Sequence, residues 1–76
     1  MLKKYILRRD IKRCQREIEL LEQKRTRSQA ALIEAILTNS TPGDEDTDYF
    51  NRFTKQIENQ REKMHRLTRE LEELEK

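Results

Sequence analysis

The sequence predicts an all-α fold, a helical hairpin whose two long helices close as an antiparallel two-stranded coiled coil. Three observations predict it. Each half carries an apolar stripe at heptad spacing, one cluster of helix breakers separates the halves, and 42% of residues are charged against 33% hydrophobic. That composition suits long exposed helices, but it also lies near the disordered range, so the periodicity decides.

In the first half, Leu7, Ile11, Cys14, Ile18, Leu21, Arg25, Ser28, Leu32 and Ala35 alternate steps of four and three. These are the inward a and d positions of a heptad, interrupted at Arg25 and Ser28. In the second half, Phe50, Phe53, Ile57, Gln60, Met64, Leu67, Leu71 and Leu74 alternate three and four, with Gln60 the polar interruption. The segment from Thr38 to Thr47 holds the only Gly and the only Pro of the chain. Asn39 suits a left-handed helix cap, Pro42-Gly43 a turn, and Asp46 or Thr47 the cap of a second helix. The expected layout is one domain over 1–76: helix 1 at about 3–38, an acidic turn at about 39–46 and helix 2 at about 47–75. An alternative start at Thr41-Pro42-Gly43-Asp44 is also compatible with capping chemistry. Asn39-Ser40-Thr41 matches a glycosylation sequon, but it reads here as helix-stopping chemistry.

One antiparallel register serves both stripes. It sets Ala35 against Phe50, Leu32 against Phe53, Ser28 against Ile57 and Arg25 against Gln60. It continues with Leu21 and Met64, Ile18 and Leu67, Cys14 and Leu71, and Ile11 and Leu74. Small residues then face large ones, and Arg25 and Gln60 form a single polar layer of the kind that sets register. Along one edge Arg8 lies near Glu75 and Glu22 near Arg61, opposite in sign. Along the other, Glu17 falls nearest Glu70 and Lys24 nearest Lys63, pairs of like sign.

Apolar residues outside the stripes are unevenly shared. Helix 2 has only Tyr49. Helix 1 has Leu2, Tyr5 and Ile6 at its start, Leu20 at mid-length, and Ala30, Ile33, Ile36 and Leu37 near the turn. A two-helix chain of 76 residues is small for independent stability, so these residues are expected to cover a partner. Two copies of helix 1 crossing antiparallel about a two-fold axis would bring Leu2 to Leu37 and Ile6 to Ile33, with Leu20 near the centre. The expected homodimer is a four-helix bundle.

Charge is segregated along the chain. Lys3, Lys4, Arg8, Arg9, Lys12, Arg13 and Arg16 crowd the start, whereas Asp44, Glu45, Asp46 and Asp48 mark the turn and Glu70, Glu72, Glu73 and Glu75 the end. Net charge is only +2, low for a dedicated nucleic-acid module, although Arg9, Lys12, Arg13 and Arg16 are candidates for phosphate contacts. The tip segment Gly43-Asp44-Glu45-Asp46-Thr47-Asp48-Tyr49 loosely resembles the acidic coiled-coil tip of the Gre transcript-cleavage factors, and it is about two residues shorter. The resemblance implies a regulator that enters RNA polymerase, without the globular domain that anchors that family.

Enzyme chemistry is not expected, nor is a cofactor or metal. His65, the only histidine, falls at an outward position with no companion ligand at metal-binding spacing. Cys14 lies on the stripe, where a buried packing residue is expected. No glycine-rich phosphate loop is possible with one glycine. No apolar run is long enough to span a bilayer and no secretion signal is visible, so the expectation is a cytoplasmic protein without membrane attachment. The expected function is a non-enzymatic protein-interaction module: an adaptor, inhibitor or assembly factor. Its contact residues would come from Leu2, Tyr5, Ile6, Leu20, Ile33 and Leu37 on helix 1 and from Asp44, Asp46, Asp48, Tyr49 and Phe50 at the tip.

Overall fold

A computed structural model describes residues 2–41 and 43–76; the expected turn at Pro42 lies outside them. Helix α1 spans Leu2–Leu37 and helix α2 spans Asp44–Glu75. They lie side by side as an all-α hairpin, a rod with extents of 57 × 16 × 14 Å.

The end of α1 is fixed by the chemistry of Asn39. Its backbone takes φ 56°, the only positive φ among the described residues. This left-handed step lets the Ser40 amide donate to the Ala35 carbonyl at 2.7 Å and the Asn39 amide to the Ile36 carbonyl at 3.2 Å. The pair of bonds is a Schellman closure, and asparagine is the residue other than glycine that adopts it most readily. Thr38 adds its hydroxyl to the Glu34 carbonyl at 3.0 Å.

The start of α2 differs from the expectation of a cap at Asp46 or Thr47 and agrees with the alternative start at Thr41-Pro42-Gly43-Asp44. The helix begins three residues before Thr47, at Asp44, with extended Gly43 at the N-cap and no side-chain cap. Asp44, Glu45 and Asp46 therefore occupy its first turn. Three carboxylates beside unpaired N–H groups at the positive end of the helix dipole favour helix there and make a separate cap unnecessary.

The stripes expected to face inward do so. Leu7, Cys14, Ile18 and Leu21 of α1 and Ile57 of α2 are buried, and Ile57 is only 1% exposed. The register between them differs from the expected one by about one heptad. Ile57 clusters with Ile18 and Leu21, flanked by Phe53 and Met64, about one heptad from the level of Ser28. Glu17 and Leu21 line one surface hollow with Gln56, Asn59 and Gln60. The same offset brings Leu71 to the level of Leu7 and Phe50 to that of Ser28.

Two physical reasons favour this register. In the expected one, Leu7 would face a position past Lys76, yet it is 5% exposed. The expected register also opposed Glu17 to Glu70, whereas Glu17 here shares a hollow with Lys63. The polar positions no longer meet: Gln60 falls at the level of Ile18 and Arg25 at that of Phe53. Leu32 and Ala35 are left half-buried beside the start of α2. Leu74, expected to pair with Ile11, is 37% exposed at the far end.

The expected edge pairs are present, with Arg8 to Glu75 at 2.8 Å and Arg61 to Glu22 at 3.0 Å. Side chains lean toward their own N-termini, so in an antiparallel pair they reach toward one another across about a turn, and these contacts survive a heptad shift. All four side chains are substantially exposed, and each pair is worth ~0–1 kcal/mol.

The register is testable by double-mutant cycles. Ile57→Ala alone is expected to destabilise the hairpin by ~2–5 kcal/mol. Combined with Leu21→Ala it should depart from additivity by ~0.5 kcal/mol or more, whereas combined with Leu32→Ala it should be additive. Urea unfolding followed by circular dichroism reads both, and coupling to Leu32 instead of Leu21 would restore the expected register.

Candidate interaction surface

The face of α1 turned away from α2 follows from its heptad. Leu2, Tyr5, Ile6, Arg9, Lys12, Arg13, Arg16, Leu20, Ala30, Ile33, Glu34 and Leu37 fall at outward positions, with Ile36 on the flank. The structure leaves all of these exposed. Leu2 and Leu37, the first and last residues of α1, are 74% and 78% exposed. The surface runs along α1 as two apolar ends, Leu2-Tyr5-Ile6 and Ile33-Ile36-Leu37, joined through Leu20 and a basic middle. Neither end has a use within the hairpin.

On α2 the exposed large apolar residues are Tyr49 and Leu74. Tyr49 is engaged within its own helix. Its ring stacks on Phe53 at 6.2 Å between centroids, and the Arg52 guanidinium lies over it at 5.7 Å. Sequence reasoning placed Tyr49 among free contact residues and missed this arrangement, although the Tyr49–Arg52 and Tyr49–Phe53 spacings of three and four residues could have shown it. Phe50, also assigned to the tip, is half-buried on the inward stripe.

The acidic tip divides in two. Asp44 and Asp48 are exposed, whereas Asp46 is half-buried. Asp44 and Asp46, with Glu45, also serve the N-terminal turn of α2, so a structural role accounts for these charges before any partner is invoked.

The basic candidates Arg9, Lys12, Arg13 and Arg16 lie exposed on α1. Part of the potential around them is cancelled locally. Arg9 approaches Asp10 at 3.6 Å, and Arg8 is held by Glu75. The basic start of α1 and the acidic end of α2 are thus neighbours, as the hairpin requires.

His65 is exposed and Cys14 is buried as a free thiol on the inward stripe. Among the described residues, no three His, Cys, Asp or Glu side chains are grouped so as to hold a metal ion. No described helix is long and apolar enough to cross a membrane. The hollows on the rod are shallow, one of them lined by Glu19, Glu22, Gln23, Thr26 and Arg27. What the geometry offers is a long exposed surface with apolar ends.

Compared with known proteins, the chain matches no protein family, no curated protein and no solved structure.

The dual character of the tip gives a measurable expectation. Replacing Asp44, Glu45 and Asp46 by their amides should lower hairpin stability by about 0.3–1 kcal/mol for each charge removed. The loss should shrink in high salt when urea midpoints are compared. Unchanged midpoints would release these residues from a structural role.

Proposed function

We propose that this chain is a small non-enzymatic protein-interaction module, an adaptor, inhibitor or assembly factor, which binds through the outward face of α1 and self-associates there. One observation carries the reading. The exposed apolar residues concentrate on α1, at Leu2, Tyr5, Ile6, Leu20, Ile33, Ile36 and Leu37, while α2 leaves only Tyr49 and Leu74 open. Holding the hairpin together requires the inward stripes alone. An apolar surface confined to the opposite side of one helix is what a docking face requires, and scattered surface leucines would be shared by both helices.

The tip is the lesser candidate for the contact, because its acids serve the start of α2 and its aromatic residues stack or turn inward. A nucleic-acid role through Arg9, Lys12, Arg13 and Arg16 has the exposure of those side chains in its favour and the nearby acids against it.

Affinity capture followed by mass spectrometry tests the reading. The wild-type chain is compared with the pair Ile6→Asp and Ile33→Asp, and with His65→Asn on α2 as control. All positions are exposed, so helicity should be retained. Proteins bound by the wild type and the control should be lost from the double variant. Retention of every bound protein by the double variant would refute the proposed face, and a capture that is nucleic acid and disappears in moderate salt would favour the basic residues.

A further inference from the structure

We infer that the occupant of the α1 face is a second copy of this chain, laid antiparallel about a two-fold axis near Leu20, so that Arg9 of each α1 meets Glu34 of the other. This rests on the proposed interaction face and names its partner.

The apolar residues are arranged for such a pairing. Antiparallel alignment about Leu20 sets Leu2 against Leu37 and Ile6 against Ile33 of the second copy, and all four side chains are exposed in the single hairpin. A parallel alignment would also bring apolar ends together, so apolar contact does not choose the orientation. Charge does. On the face itself, exposed Arg9, Lys12, Arg13 and Arg16 lie in the half toward the start of α1, and exposed Glu34 lies in the half toward the turn.

Antiparallel copies bring Arg9 to Glu34 twice, by symmetry, and parallel copies would oppose the basic halves of the two faces. Glu34 of one copy falls at the level of Tyr5 in the other. There it leans toward Arg9, since side chains on each helix lean to their own N-terminus. The opposing pair is Lys12 with Arg27 of the second copy; Arg27 shares the heptad position of Leu20 and Glu34, so this repulsion lies on the face and weakens the dimer.

The size of the contact sets its strength. The 36 residues of α1 extend ~54 Å, and a stripe ~10 Å wide along them offers roughly 500 Å² on each copy. The total of about 1,000 Å² stands at the lower limit for a specific interface, so a micromolar, salt-sensitive dimer is expected.

Sedimentation equilibrium at micromolar concentration tests this, with helicity checked by circular dichroism. The wild type should dimerise at low salt. Arg9→Glu and Glu34→Arg should each weaken the dimer at least tenfold, and the two together should restore it. Positions 9 and 34 lie ~37 Å apart on one helix, so rescue reads only a contact between copies. In a Cys14→Ala background, Ile6→Cys and Ile33→Cys chains should cross-link to one another when mixed and not to themselves.

A monomeric wild type, or a charge swap that fails to rescue, overturns the inference. In that event, capture of a different protein that is abolished by the Ile6→Asp and Ile33→Asp pair leaves the α1 face standing with another partner. If neither dimer nor capture responds to that pair, the face itself is wrong.

Discussion

The hairpin depends on the contact of Ile57 with Ile18 and Leu21. Two helices can bury only the stripe that each turns toward the other, and this cluster is where the burial is complete. From it toward the chain ends, Cys14 and Leu7 remain buried. Toward the turn, Phe53, Leu32 and Ala35 are half-covered. Apolar burial is worth ~25 cal/mol for each Å² removed from water, so the stabilising free energy is concentrated in the half of the rod that holds the chain ends. The turn end is held more by local chemistry: the left-handed Asn39 closure and the carboxylates of the first α2 turn.

The choice of register shows a limit of heptad reasoning. Any antiparallel pairing shifted by seven residues still sets an a position against a d position, so the spacing alone leaves such registers degenerate. Matching Arg25 with Gln60 appeared to remove the degeneracy, because a polar layer is a known register device. The structure prefers to cover Leu7 and to separate Glu17 from Glu70. A polar pair at a half-exposed layer gains little, since both side chains can reach water from their own helix, whereas an uncovered leucine costs apolar burial in full.

Much of the architecture was legible in the sequence, for reasons that can be named. The hairpin followed from periodicity and the lone breaker cluster, and the left-handed Asn39 from the tolerance of asparagine for that conformation. The ion pairs of Arg8 and Arg61 were legible because edge pairs tolerate a heptad shift. The start of α2 at Asp44 is the alternative that Thr41-Pro42-Gly43-Asp44 offers, and capping preferences alone do not separate it from a start at Thr47. The register depends on turn length, and that length depends on where α2 starts. The engagement of Tyr49 comes from Arg52 and Phe53, three and four residues along the same helix face. On the outward face, the exposure of Leu2, Ile6, Ile33 and Leu37 could be foreseen from heptad position, but what they bind is a property of a second molecule.

The asymmetry between the helices is therefore the feature with the most consequence. A self-contained hairpin needs one stripe on each helix and polar residues elsewhere, and α2 comes close to that pattern. Helix α1 departs from it at both ends, and the departures flank a basic stretch that would otherwise read as an ordinary solvated surface. Apolar residues in the middle of α1 would favour a compact contact with any orientation. Placed at the two ends, with the basic stretch to one side of Leu20 and Glu34 to the other, they favour, on the proposed reading, a partner as long as the rod itself and of one polarity. Few surfaces satisfy both conditions, and the same helix running the other way is one that the chain necessarily supplies.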